Sequence, residues 1–440
     1  MSIFRFLFFL FITLTIPLTS FIVSDNGTNR LGRGSGMQEV KFQDEIYKST
    51  IRTVRFHRLG QEMAMPVIAL NSNEQLQLSF DDLDGQVKNY KYTFIHCNSH
   101  WQPSELWKSD YISGFTEDYI NNYRFSFNTL QPYVHYQLVF PNRNMLLSVP
   151  GNYLMIVFQD NDPNAIILTR RFMILDQKVT VVGRIRMPMA GADRLKKHEI
   201  GFTIETGNFP VIDPQRNLRV VVIQNGRWDN ALELQPMMIR GSILDYQYVD
   251  GSNTFDAINE FRGLDLRSVK YLVGNISEIG RDDLGYDIHL WPDKRRNFKP
   301  YVHEKDLNGR YDIGTNETSD PDVEAEYVKV HFTLEVENAI PGADVYISGM
   351  LSDWQFRDEN RMRYNSRRSV YEKSILLKQG YYNYHYTLLN HGVKMGNSGF
   401  FEGNHADTGN EYTIFVYYRQ PGSRSDNLIS IKTLNSKDFL

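Results

Sequence analysis

His96, Cys97 and His100 stand close together in the stretch FIHCNSHWQPSELW (94–107), and Cys97 is the chain's single cysteine. A thiolate and two imidazoles at this spacing could begin a zinc site or form a Cys/His nucleophile. The element that must carry them argues against both. Residues 89–97, NYKYTFIHC, read as a strand, and successive strand residues point to opposite faces of a sheet. His96 and Cys97 therefore cannot easily converge on one ion. The expectation is that Cys97 acts as a small buried hydrophobe, with the histidines hydrogen-bonded nearby.

Other possible sites fail on their spacing. GRGSG at 32–36 imitates a phosphate loop, but no strand precedes it and no helical pattern follows. HEIGF at 198–202 lacks the second histidine of a zinc-protease helix, and no G-x-S-x-G elbow occurs. Asp160, Asp162 and Asn164 start like a calcium loop, yet the glycine position holds Ala165 and the closing glutamate position holds Arg171. A hairpin turn is expected there instead. Acid pairs for glycoside hydrolysis cannot be singled out among 52 Asp and Glu. No catalytic residue, metal ligand or cofactor-binding residue is assigned, and no enzyme is expected.

At 440 residues the chain suits about three domains. Aromatics make up 13%, with 27 Phe and 26 Tyr, which favours pleated surfaces that hold flat side chains. A net charge of −4 offers no basic field for nucleic acid. The N-terminus has Arg5 and then an apolar run to about Val23, as in a secretory signal peptide; a retained N-terminal anchor is the alternative. No later stretch could span a bilayer as a helix, so the mature chain is expected not to insert directly. One cysteine cannot form an internal disulfide, so stability must come from the cores.

From about residue 48, short strands alternate with turn residues. QLQLSF (75–80) points Leu76, Leu78 and Phe80 inward, and VKVHFTLEV (328–336) alternates without error. Such spacing is the pattern of sandwiches and barrels. The fold class is therefore all-β: three tandem β-sandwich domains, immunoglobulin-like or early-set, after a signal peptide. The divisions are a signal peptide at 1–24, a flexible leader at 25–47, sandwiches at 48–176, 177–310 and 326–440, and a linker at 311–325. NEFRGLDLRS (259–268) stands out as a charged insert, either solvated or pinned by Arg262–Asp265 pairing.

In the third block, GMLSDWQF and LLKQGYYNYHYTLL resemble the early-set domains of glycogen- and starch-binding modules. That likeness makes Trp354 a sugar-stacking candidate, while ordinary core packing is the simpler reading. It supports an alternative function, an exported multi-domain carbohydrate-binding protein.

Longer motifs run in order along nearly the whole mature chain: YTFIHCNSHWQPSELWKSDYISGF, VVVIQNGRWDNA, LDYQYVDGSNTFDAINEFRGLDLRS, LLKQGYYNYHY and EGNHADTGNEYTIFVYYR. Together they resemble the plug protein family of the type IX secretion system of Bacteroidetes-type bacteria. The resemblance implies a non-enzymatic periplasmic protein built of β-sandwich domains. Such a protein binds the periplasmic mouth of the outer-membrane translocon barrel and seals its pore when nothing is exported. No nucleic acid, small-molecule substrate or cofactor is implied. Exposed aromatic and arginine side chains dominate interfaces, so Trp101, Trp107 and Arg262 are the candidate contacts.

Overall fold

Alternating apolar residues with turn chemistry every few positions leave the backbone little choice but strands. In a computed structural model, described over residues 39–160, 165–188, 191 and 194–439, no helix exceeds four residues. The expected signal peptide, most of the leader, and residues 161–164 of the calcium-like stretch lie outside the described residues, while Ala165 and Arg171 are described, Arg171 within the strand Ile166–Leu175. No described helix is long and apolar enough to cross a membrane. Residues 41–440 form one compact unit; Glu39 and Val40 fall with the N-terminal residues in another. The protein is mostly β, with several antiparallel sheets and three hydrophobic clusters.

The first cluster lies between two sheets. One orders Ile51–Arg58, Leu76–Asp82, Val134–Phe140 and Asn122–Phe125. The other runs through Glu45–Ile46, Ile166–Leu175, Gly151–Gln159, Tyr90–Cys97 and Asp118–Tyr119. Leu76, Leu78 and Phe80 face this core, fully buried among Phe94, Phe140 and Phe172. Burial of such rings contributes roughly 1.5–3 kcal/mol each.

The second and third clusters do not follow consecutive blocks. Thr180–Arg186, Lys197–Glu205 and Leu218–Gln224 share their core with the C-terminal strands Glu411–Tyr418 and Asn427–Asn435. Leu218–Gln224 pairs along its whole length with Glu411–Tyr418. The sequence reading put these last strands in the third block. Alternation specifies which face a residue takes, not which sheet the strand joins. Here Tyr412, Ile414 and Val416 enter the second core, while Phe415 and Tyr417 on the other face are also buried.

The third cluster, spanning Leu264 to Phe401, is thus inserted into the second. Its entry and exit run side by side: Ile258 bridges Asn404, Asn259 N donates to Gly403 O at 3.1 Å, and His405 N donates to Ala257 O at 2.8 Å. Two further expectations are corrected inside it. Arg262–Asp265 is a strand paired with Gly380–Asn390, not a loop, because Phe261, Leu264 and Leu266 are buried. Arg262 and Asp265 do not pair with each other either, since Asp265 binds Arg267. The 311–325 segment is not a linker: Tyr311–Ile313 is a strand on Gly380–Asn390, and Val323 and Ala325 are buried.

That segment helps lock the first and third cores together. Asp81, buried on the face of its sheet opposite Phe80, accepts from Tyr327 OH and Lys378 Nζ, each at 2.7 Å, and lies 2.6 Å from His135 Nδ1. Lys378 Nζ also donates to Asp322 O at 2.7 Å and sits 4.2 Å from the centre of the Tyr133 ring. Burial alone would raise the Asp81 carboxyl, but Lys378 and His135 outweigh it and hold it below the usual range. Removing one partner of such a pair strands the other charge away from water. Lys378→Met is expected to lower stability by about 3–5 kcal/mol, and Lys378→Met with Asp81→Asn to recover part of that loss. The urea midpoints of the two variants check this; a double variant no more stable than the single one contradicts the assignment.

Candidate functional site

The strand Tyr90–Cys97 separates the two residues that opened the sequence reading. His96 faces the first core, its ring 4.9 Å from Tyr153 and edge-on. Cys97 lies on the opposite face, paired in register with Asn152. Burial drives the His96 imidazole down to about 4 and the Cys97 thiol up to about 12. At neutral pH both are uncharged, so neither is an activated nucleophile or base. His100 is exposed, with Nε2 3.9 Å from Glu233. Among the described residues no group of three or more His, Cys, Asp and Glu stands ready for a metal ion.

The loop after Cys97 is ordered from within. Asn98 Oδ1 accepts from His100 N and Gln102 N, each at 2.9 Å, and Trp101 takes a positive φ of 61° at the bend. Ser99 N and Oγ donate to Asp426 Oδ2 at 2.7 and 2.6 Å, which fastens the loop to the second core. Trp101 is driven inward as a result. It is 4% exposed, edge-on to Trp228 at 5.5 Å, with the Arg171 guanidinium 4.4 Å from the centre of its ring. Trp107, next to the turn Lys108–Tyr111, is 74% exposed.

Arg262 is also internal. Nη1 donates to Asp293 at 2.8 Å and Nε to Glu402 at 3.1 Å, while Arg296 Nε donates to Glu402 at 2.8 Å. Glu402 is fully buried; burial alone would raise its carboxyl, but the two arginines pull it down to about 2. Of the three expected contacts, only Trp107 faces solvent. Trp101 and Arg262 are corrected to internal joints, because aromatic and arginine side chains serve buried junctions as readily as interfaces.

Trp354 is half-buried, 5.8 Å from Phe261 and edge-on, with its ring laid against Gly309, where any Cβ would collide with it. It is built into the junction and does not present an open platform for a sugar. With Trp101, Trp228, Arg171, Met350 and Phe356 it lines a cleft of about 680 Å³ where the three cores meet.

An exposed surface that sequence reasoning missed runs along the free edges of the first core. Asp118–Tyr119 ends one sheet and Asn122–Phe125 the other. Phe115, Tyr119, Tyr123, Phe125 and Phe127 are all exposed there, with Phe127 at 68%. Phe127 N donates to Val323 O at 2.8 Å, and Arg124 pairs with Asp320 and Asp322, so the strip is held in place while its rings stay open. The signal was the alternation Tyr123, Phe125, Phe127, which on its own reads as an inward face. Aromatics arrayed on a sheet edge are a recurrent template for partner strands and partner pockets.

The region holding this edge and the Trp101 loop is the one that matches a known family. Residues 51–176 match the family model for the type 9 secretion system plug protein 1st domain. The chain belongs to the type 9 secretion system plug protein family. A crystal structure of a hypothetical protein from Parabacteroides merdae ATCC 43184, at 2.30 Å resolution, is similar to this plug-family chain. The two share 34% identity with a TM-score of 0.87, covering 90% of this chain and 100% of that one. No curated protein matches the plug-family chain.

The three expected contacts separate by stability. Arg262→Ala is expected to cost about 3–5 kcal/mol by stranding buried Glu402, and Trp101→Ala about as much by opening a cavity. Trp107→Ala is expected to stay within about 0.5 kcal/mol of the parent. Urea denaturation of the three variants checks this, and a Trp107 effect as large as the others contradicts the assignment.

Buried histidines set the acid side of the stability curve. His385, stacked on Phe261 at 3.7 Å, is driven by burial to about 3, as His96 is to about 4. Unfolded, each takes a proton near pH 6.5. Their contribution is therefore complete above about pH 6.5 and is lost as the pH falls from there toward about 4 and 3. The urea midpoint is expected to fall between about pH 7 and 4.5, and to fall less in His385→Gln. An equal fall in both proteins contradicts this source.

Proposed function

We propose that this protein is a non-catalytic periplasmic plug, which seats against the outer-membrane translocon barrel of the type 9 secretion system and closes its pore between export events. The observation that carries the reading is the match of residues 51–176 to the plug family's first domain. A seal needs a persistent shape and a broad contact surface rather than a nucleophile. The Lys378–Asp81 pair buried between the first and third cores supports the first requirement, and the exposed aromatic edge from Phe115 to Phe127 supports the second. Seating and release form a two-state equilibrium, biased toward release by whatever binds the open translocon more tightly.

The edge makes the contact in this reading, and the exposed Trp107 is a further candidate contact. Tagged protein incubated with outer-membrane extract is expected to recover a very large β-barrel protein. Phe125→Ser with Phe127→Ser is expected to reduce that recovery about tenfold while leaving stability within about 1 kcal/mol of the parent. Failure of the parent protein to recover any barrel overturns the plug reading. Undiminished recovery by the folded double variant moves the contact away from this edge.

A further inference from the structure

The cleft at the meeting of the three cores holds a cation with no carboxylate partner and a buried donor with no acceptor. Arg171 Nε donates to Phe42 O at 2.9 Å, and Nη2 donates to the same oxygen. Among the described residues Nη1 has no acceptor, and no carboxylate comes within ion-pairing range of the guanidinium. The other arginines of the cleft are matched: Arg170 with Asp353, and Arg310 with Glu411. Asp44 is the nearest counter-charge, but its carboxylate accepts from the Arg171 backbone N at 2.7 Å, and burial raises its pKa. The second donor is Trp101 Nε1, buried and unpaired, on the ring over which Arg171 lies.

A buried donor left unpaired costs about 1–3 kcal/mol, more when charged. Enclosure pulls the Arg171 guanidinium down to about 10, partly offset by Asp44, and its close partners among the described residues are Phe42 O and the Trp101 and Trp228 rings, 4.4 and 5.6 Å from it, with no carboxylate among them. A ligand bearing negative charge would give the guanidinium the counter-charge it lacks among the described residues. Next to Arg171 and Trp101, the side chains of Trp228, Trp354, Met350 and Phe356 form an apolar patch, and the carboxylates that also line the cleft, Glu62, Asp229 and Asp353, are paired with Arg55, Arg227 and Arg170. That patch suits a flat or apolar body and would gain little from a hydrated inorganic anion.

We propose that this cleft is a binding site for a carboxylate attached to an aromatic or apolar group, with Arg171 and Trp101 holding the carboxylate and Trp228 and Trp354 enclosing the body. Two sources share this chemistry: the C-terminal residue of a peptide chain, and a free aryl acid. The site is distinct from the exposed aromatic edge and does not rest on the translocon reading.

Three of the five tryptophans line the cleft, so intrinsic fluorescence reports its occupancy. Purified protein is titrated with phenylacetate, phenylacetamide, the tripeptide Gly-Gly-Phe and its C-terminal amide. Saturable quenching is expected from the acids, with each amide about tenfold weaker or worse, because only the acid supplies a charged acceptor. Tighter binding of Gly-Gly-Phe than of phenylacetate identifies a chain terminus as the source, and the reverse order a free acid. Arg171→Gln is expected to weaken the acid about tenfold, and Trp101→Phe, which keeps a ring but loses the N–H, severalfold. Equal affinity for acid and amide, or no saturable quenching by any of the four, overturns the proposal. So does unchanged phenylacetate affinity in folded Arg171→Gln. Should that variant not fold, the acid–amide comparison on the parent protein still decides.

Discussion

A carboxylate that has left water must be answered by something, and Asp81 is answered from across the molecule. Its partners come from three places in the chain: His135 in its own core, and Tyr327 and Lys378 in the inserted one. Neither Asp81 nor Lys378 can be sealed away without the other, so the first and third cores are stable in this form only together. The same logic recurs at Glu402, which Arg262 and Arg296 neutralise, and at Asp426, which binds the Ser99 loop and Arg419. Asp81 and Asp426 act as fasteners between cores, and Glu402 as one within the inserted core.

Much of the local structure was legible in the residues. The alternation of Leu76, Leu78 and Phe80 and that of Val328 to Val336 became strands with the expected faces inward. His96 and Cys97 did part to opposite faces. What the residues did not disclose was partnership between distant segments. Glu411–Tyr418 has the periodicity of any half-buried strand, and nothing in it names Leu218–Gln224 as its neighbour. The same blindness misplaced Trp101 and Arg262. Residue type indicates that a side chain is energetically important, but only the assembled fold shows whether its partner lies inside or outside the chain. Conversely, the alternation of Tyr123, Phe125 and Phe127 is that of a core face, yet these rings stand in the open, because an edge strand has no second sheet to cover its outer rings.

Internal fastening also leaves one unit both held together and open along an aromatic edge. The charged side chains between the cores are largely committed to one another, which leaves the first core's edge to present aromatics held by backbone bonds and by the Arg124 pairs. Rings on a stiff edge lose little freedom on contact, which favours reversible but specific seating.

The insertion has a temporal consequence. Synthesis delivers the chain from its N-terminus, and the first core can close once residue 175 has emerged. The second core opens at Val179, yet its central strand waits until residues 411–418 arrive, after the entire third core. Half a core must therefore remain unsatisfied for most of the chain's emergence, exposing Val220, Val222 and Leu218 to whatever is near. A molecule wired this way completes its second core only when its last two strands, Glu411–Tyr418 and Asn427–Asn435, are present.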